Sequence, residues 1–108
     1  MHQTIQLVFS FMAARPKTKT YTFISPDAVS LHSIFSSASL DRFAGCVIIR
    51  ANKNNSGNVF WQDVGGSAGG FLDSGEAATM DFSNQFVDIT GLYLVGSAND
   101  VVYITLIS

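Results

Sequence analysis

The chain has 108 residues and a formal net charge of −2, and it is 47% hydrophobic but only 13% charged. A charged share of about 25% is usual, so this protein is unusually poor in charge. High hydrophobicity with little charge excludes a disordered chain. It also argues against a nucleic-acid partner, because proteins that bind nucleic acids normally carry a surplus of basic residues. The length predicts a single domain over residues 1–108, with about two-thirds of the unfolded surface buried on folding.

The N-terminal segment alternates apolar and polar residues. Ile5, Leu7, Phe9 and Phe11 fall on one face of a predicted strand, because successive side chains point to opposite sides of a sheet. No basic residue precedes Arg15, and polar residues interrupt the apolar ones, so the segment does not match a signal peptide. No apolar run reaches the about 20 residues that a membrane span needs. We therefore expect synthesis in the cytoplasm without secretion, and no membrane partner.

Three of the six basic residues lie close together after this segment. Arg15, Lys17 and Lys19 flank Pro16, which cannot donate a hydrogen bond to a β-ladder. We expect a hairpin loop here, followed by a strand over residues 20–24. The charge of such a loop suits an acidic protein surface or phosphate groups. A solvated loop is the alternative, because exposed charges usually contribute little.

The stretch 28–44 has no single period. Its apolar residues recur at spacings of two, three and four, and it contains five serines between Ser30 and Ser39, which are poor helix formers. A strand or an irregular crossover is favoured, with a short helical turn at residues 40–43 as the alternative. Two interpretations stay open for residues 1–44, as part of the same domain or partly as an arm or crossover.

The second half of the chain predicts short strands separated by turns. Residues 46–51 are apolar on both faces until Arg50, which is typical of a central strand. Further strands are expected at 58–62, 71–72, 78–82, 86–89, 92–95 and 101–107, with a glycine-rich loop at 65–70. Turn signals recur roughly every 8–12 residues, and no long amphipathic helix is present. The sequence therefore predicts an all-β fold, an antiparallel β-sandwich or jelly roll of about eight short strands.

No group of residues indicates a reaction or a metal site. Cys46 is the only cysteine and opens the most apolar strand, so a buried position in the core is expected. Asp63, Asp73 and Glu76 lie near glycine-rich turns and could ligate calcium, but they lack the alternating register of an EF-hand loop. We expect a protein that is not an enzyme and has no catalytic residue, no metal site and no cofactor.

Aromatic residues give the strongest signal for binding. Phe60 and Trp61 are consecutive, so their side chains must point to opposite faces of a strand, and Tyr93 raises the same question in a later strand. Outer faces this poor in charge favour coverage by another subunit. Trp, Tyr and Arg are the residue types that most often dominate interfaces. The candidate interface residues are Arg15, Lys17, Lys19, Phe60, Trp61 and Tyr93.

Strands and turns of the second half follow one another in a familiar order. The pieces are Val47–Ala51, Asn55–Trp61 with its Asn-x-Gly turn, Gly70–Glu76, Leu92–Ala98 and Asp100–Tyr103. This layout resembles small β-sandwich virion proteins of tailed bacteriophages, of the capsid decoration (cement) or head-fibre type. Their turn Leu-x-Pro-Gly-Glu corresponds to Leu72–Glu76, with Ser74 in place of the proline.

The resemblance implies a bacteriophage virion structural protein that decorates the capsid and stabilises the shell. It implies a homo-oligomer, with a trimer favoured, the major capsid protein as partner, and a location in the virion. The alternative is a carbohydrate- or receptor-binding jelly-roll module of a phage fibre. In that module Trp61 and the tyrosines would stack on sugar rings, and hydrogen bonds would come from Asn52, Asn54, Asn55 and Asp63.

Overall fold

In the computed structural model of this chain, short antiparallel strands form two four-stranded sheets. The structure describes residues 16–35, 43–63, 65–81 and 87–107. Sheet 1 has the order β1–β10–β4–β7, where the strands are β1 (Pro16–Thr22), β10 (Val101–Ile107), β4 (Cys46–Ala51) and β7 (Ala77–Asp81). Sheet 2 has the order β2–β9–β5–β6, where the strands are β2 (Val29–Ser30), β9 (Leu92–Val95), β5 (Val59–Asp63) and β6 (Ala68–Leu72).

Smaller elements connect the two sheets. The two-residue strands β3 (Phe43–Ala44) and β8 (Val87–Asp88) pair with each other, a helical turn spans Leu31–Ile34, and a 3₁₀ turn spans Ile89–Gly91. The Ser30 hydroxyl accepts a hydrogen bond from the Ser33 N–H at 3.0 Å and so caps the helical turn. The helical turn considered from sequence at residues 40–43 lies mostly outside the described residues, and its last residue, Phe43, begins β3. Residues 36–42 lie outside the described residues.

The core lies between the two sheets and follows the two-residue period of the strands. Alternate residues of β4 and β10 are buried while their neighbours face outward. Sheet 1 contributes Val47, Ile49, Ala51, Val102, Ile104 and Leu106, and sheet 2 contributes Val59, Leu72 and Leu94. The prediction of an all-β sandwich is confirmed, with eight described strands in the two main sheets. The prediction of one domain over 1–108 stays a prediction, and the strand expected near residues 4–11 lies outside the described residues.

Three local expectations were wrong. The basic segment after Arg15 is a strand, β1, and not a hairpin loop, because a proline is tolerated as the first residue of an edge strand. Ala68–Gly70 belongs to β6 and not to a loop, because the missing side chains of Gly69 and Gly70 make room for the Trp61 ring. Cys46 is half-buried on the outward side of β4 rather than in the core.

One end of the sandwich is held by a buried carboxylate. Asp100 is only 4% exposed, and its two oxygens accept hydrogen bonds from the Ser56 N–H (2.9 Å), the Ser56 hydroxyl (3.1 Å) and the Gly57 N–H (3.0 Å). Burial raises the pKa of this carboxyl, but the three hydrogen bonds outweigh it, so the pKa lies below its usual range. Asp100 thereby ties the β9–β10 turn to the β4–β5 loop.

An asparagine makes the second tie between these loops. The Asn55 side chain donates to the Val101 carbonyl at 2.9 Å and accepts from the Val101 N–H at 2.8 Å, as a neighbouring strand would. The Ser74 hydroxyl donates to the Asn55 carbonyl at 2.8 Å, which adds the β6–β7 turn to the same group. Three loops at this end are therefore joined to one another by polar contacts.

Candidate functional site

The structure decides which way the consecutive aromatic residues of β5 point. Trp61 faces inward, is partly buried and packs against the core, with its indole ring over Gly69 and Gly70. Phe60 points outward and remains 40% exposed. Of the two residues predicted as alternatives for the interface, Phe60 is the one that the fold presents on the outer face.

A second phenylalanine lies beside Phe60. Phe71 of β6 is its cross-strand partner and is 54% exposed. The two ring centroids are 6.0 Å apart with the planes tilted by 47°, which is within the range of favourable aromatic pairs. Sequence reasoning missed Phe71 as a contact residue. The alternation Phe71-Leu72, with Leu72 inward, was the signal, but the strand pairing that brings Phe71 to Phe60 is not visible in the sequence.

The outward side of sheet 2 forms a surface that we name the aromatic face. Its residues alternate with the buried ones and are Ser30, Phe60, Gln62, Phe71, Tyr93 and Val95. None of these side chains carries a charge at neutral pH. Tyr93 is half-buried and lies opposite Gln62, so Tyr93 and Phe60 lie on the same face of sheet 2.

The predicted basic residues lie elsewhere. Lys17 and Lys19 are in β1, the edge strand of sheet 1, with Leu106 and Ile104 as their cross-strand partners. Because those partners point inward, both lysines lie on the core side of the edge strand. Inward-pointing charges on an edge strand hinder its pairing with a strand of another molecule. Arg15 lies outside the described residues, so the proposed basic patch is represented here by two lysines on a different sheet from Phe60.

The structure does not bring together the residues considered for sugar binding. Asn52, Asn54 and Asn55 lie in the loop before β5, while Asp63 is the last residue of β5, at the opposite end of that strand. Trp61 faces the core instead of the loop asparagines. A single sugar ring cannot contact the two ends of one strand at once.

Two of the three carboxylates considered for calcium, those of Asp63 and Glu76, accept hydrogen bonds within their own turns. Asp63 accepts from the N–H groups of Gly65 (2.9 Å) and Ser67 (3.0 Å), and Glu76 accepts from the Asp73 N–H at 2.7 Å. Within residues 16–35, 43–63, 65–81 and 87–107, no group of three or more His, Cys, Asp or Glu side chains is placed to hold a metal ion. In the same ranges, no helix has the length and apolar character to cross a bilayer.

Comparisons with known proteins add little. No protein-family profile matches the chain, and no curated protein matches it. Among solved structures, the chain is similar to a chain of Bacillus endospore appendages, which are described as a novel family of disulfide-linked pili. The identity is 12% and the TM-score is 0.48, over 86% of this chain and 85% of that one. So distant a likeness carries no inference about function, and the phage resemblance of the sequence stays a prediction.

Proposed function

We propose that this protein is a non-enzymatic structural subunit of an assembled particle, and that copies of it associate through the aromatic face. The observation that carries the proposal is the exposed Phe60–Phe71 pair on a sheet face without charged side chains. Large apolar side chains on the outer side of a sheet contribute little to the core of their own subunit. Contiguous apolar surface of this kind is typical of protein interaction sites.

The free energy gained by covering Phe60 and Phe71 supports association. A phenylalanine buries about 200 Å² when fully covered. With 40% and 54% of the two residues exposed, complete coverage would remove roughly 190 Å² per copy. At about 25 cal/mol per Å², this is worth nearly 5 kcal/mol per copy. Association costs about 4–15 kcal/mol, so two such pairs offset much of that cost but need further contacts around them.

The area of the aromatic face also indicates that an interface needs further contacts around it. The strands β2, β9, β5 and β6 have two, four, five and five residues, so at about 4.8 Å between strands and about 3.3 Å per residue they cover roughly 250 Å² of flat surface. A standard interface uses about 800 Å² per partner. The aromatic face therefore suits the apolar centre of an interface, with loops around it supplying the rim.

The absence of charge favours a copy of the same chain as the partner. Around a symmetry axis, a residue near the axis meets its own counterpart, so charged side chains would face like charges. The aromatic face avoids this repulsion, because its polar members, such as Gln62 and Tyr93, are neutral.

The finer proposal is a capsid decoration protein in the virion of a tailed bacteriophage. It would be a trimer bound to the major capsid protein, and several contacts per trimer would add avidity to each single contact. Support comes from the order of strands and turns in the sequence. The turn that resembles Leu-x-Pro-Gly-Glu has Gly75 at φ +83°, a conformation that favours glycine, and its Glu76 side chain closes the turn on Asp73.

Sedimentation velocity across a concentration series tests the oligomer, with the Phe60→Ser/Phe71→Ser double variant beside the wild type. We expect the wild type to associate at about 10 µM and the double variant to require at least about 100-fold higher concentration. Ile24→Ser is the matched control, because Ile24 is 86% exposed but lies in the loop after β1, so it should associate like the wild type. A wild type that stays monomeric up to about 100 µM would contradict self-association.

Binding to particles tests the finer proposal separately. Purified protein is mixed with empty shells of tailed phages, and co-sedimentation is measured with and without the double substitution. Saturable binding to shells supports the decoration function. If the protein associates but binds no shell, the virion proposal is contradicted, whereas the proposal of a structural subunit is not.

A further inference from the structure

A groove of about 490 Å³ lies on the other side of the sandwich, on the outward side of sheet 1. We name it the donor groove, and it is lined by Arg50, Ala51, Asn52, Lys53, Asn54, Gly75 and Tyr103. Arg50 and Tyr103 are cross-strand partners on β4 and β10, and both are exposed. The volume falls within the range of small-ligand sites, about 300–1,000 Å³.

The lining presents hydrogen-bond donors that have no partner of their own. The Arg50 guanidinium has five N–H donors and the Lys53 ammonium has three. Neither side chain makes an ion pair or a side-chain hydrogen bond in the part of the chain that the structure describes. The net charge of the chain is −2, so a groove with two unpaired cations has the opposite sign of charge to the molecule as a whole.

The Tyr103 hydroxyl adds a third donor. The Asn52 side-chain oxygen accepts from the Asn54 N–H at 2.8 Å, which fixes the orientation of the amide. The amide nitrogen of Asn52 then donates to the Tyr103 oxygen at 2.7 Å. Because this oxygen acts as an acceptor, the hydroxyl hydrogen of Tyr103 is free to donate to a molecule in the groove.

The carboxylates of the adjoining turn do not line the groove. Glu76 and Asp73 belong to the adjoining β6–β7 turn, and the Glu76 side chain accepts from the Asp73 N–H at 2.7 Å. Neither is among the residues that line the groove. The cations therefore meet no counter-charge from the described residues of the lining.

The walls of the groove are held by backbone contacts. The Asn52 N–H donates to the Val101 carbonyl at 3.0 Å, and the Gly75 N–H donates to the Ala51 carbonyl at 3.1 Å. Gly75 has a φ of +83°, which an L side chain rarely adopts. Because the walls are already fixed, a ligand would lose little free energy to ordering them.

We propose that the donor groove binds the carboxylates of an acidic protein segment. Carboxylates accept hydrogen bonds without donating any, and they match the planar fork of an arginine in two parallel bonds. Sugar hydroxyls also donate, and Arg50, Lys53 and Tyr103 offer them no acceptor, so the side-chain acceptors of the lining are the amide oxygens of Asn52 and Asn54. The groove and the aromatic face lie on opposite sides of the sandwich, so this proposal does not depend on self-association.

Isothermal titration with a hexaglutamate peptide at low salt tests the proposal on the full chain. We expect saturable binding that Arg50→Ala weakens at least about tenfold. Arg50→Lys should recover only part of the loss, because an ammonium keeps the charge but loses the two-bond geometry. The matched control is Lys19→Ala, which removes an exposed cation from β1 outside the groove and should change the affinity less than about twofold.

Three results would overturn the proposal. The first is no binding of the peptide at millimolar concentration. The second is an equal loss in Arg50→Ala and Lys19→Ala, which would indicate general charge attraction. The third is equal affinity for inorganic phosphate, which would indicate a general anion site. Arg50→Gln keeps a long polar side chain and serves as a second variant if Arg50→Ala does not fold. The Phe60→Ser/Phe71→Ser variant should bind the peptide normally, which separates this test from that of self-association.

Discussion

The two outer faces of the sandwich differ in chemistry although the same core supports both. The outward side of sheet 1 carries a row of Thr18, Thr105, Ile48 and Thr79 across its four strands, and Arg50 lies in the next row. The aromatic face of sheet 2 carries phenylalanines and no charge. The inner faces of both sheets must be apolar to form the core, but nothing in the fold requires the outer faces to differ. This difference is consistent with the two proposed contacts, a copy of the same chain for the aromatic face and an acidic segment for the donor groove.

The two faces are also held in place by different kinds of contact. The donor groove is built on β4, β10 and the loops beside them, and Asp100 and Asn55 hold those loops together by polar contacts. The aromatic face is built on strands whose inward side is packed by Trp61 and Leu94. Substitutions that remove one support but not the other can therefore test whether the faces are independent.

The largest effect is expected when the support of the donor groove is removed. Asp100→Ala leaves the Ser56 and Gly57 N–H groups and the Ser56 hydroxyl without their buried acceptor, so it should lower the free energy of unfolding by about 3 kcal/mol. Urea denaturation measures this value. Asp27→Ala, which removes an exposed aspartate, is the control and should cost less than about 0.5 kcal/mol. Equal losses would mean that the Asp100 contacts do not hold the loops.

Acid should weaken the same support. The pKa of Asp100 is lower in the folded chain than its ordinary value of 3.8, so the folded state favours the ionised form. The stabilisation is complete above about pH 4 and is lost as the pH falls through the lower folded-state pKa. Urea denaturation of wild type and Asp100→Asn between about pH 2 and pH 6 should show their stabilities converging at low pH. A constant difference across this range would contradict the assignment to Asp100.

A smaller loss of stability is expected when a side chain is added against Trp61, on the inward side of the sheet that carries the aromatic face. A methyl group on Gly70 would lie 2.5 Å from the Trp61 ring, so the ring or β6 must shift. Gly70→Ala should therefore cost about 2 kcal/mol. Gly91→Ala is the matched control, because nothing lies within 4 Å of the added methyl group. A normal stability for Gly70→Ala would show that the Trp61 ring can move freely.

The aromatic side chains themselves should matter less for folding than for association. Phe71→Ser loses the ring contact with Phe60, but over half of Phe71 is already exposed, so the cost should be about 1 kcal/mol at concentrations where the chain is monomeric. Thermal denaturation at two concentrations separates this value from the effect on association. A loss of about 3 kcal/mol in the monomer would make Phe71 a core residue and remove the main argument for the aromatic face.

The smallest effect is expected from one hydroxyl in the donor groove. Tyr103→Phe removes the oxygen that accepts from Asn52, and because the pair is exposed the cost should be about 0.5 kcal/mol. Tyr93→Phe is the control, because its hydroxyl has no hydrogen bond within the described ranges. If Tyr93→Phe costs as much as Tyr103→Phe, the Asn52 contact does not stabilise the groove.

The sequence by itself determined the fold class and most strands. Period-two alternation and glycine- and asparagine-rich turns are local features, so β4, β5 and β10 could be located without a structure. The same alternation showed that one of Phe60 and Trp61 must face outward.

Only the tertiary structure decided the pairing and its consequences. It turned Trp61 inward over two glycines, placed Phe71 beside Phe60, and put Arg50 beside Tyr103. It also placed Lys17 and Gly70 in strands, where the sequence had predicted loops. Side-chain period is a property of one strand, whereas the neighbours of a residue depend on register between strands that lie far apart in the sequence.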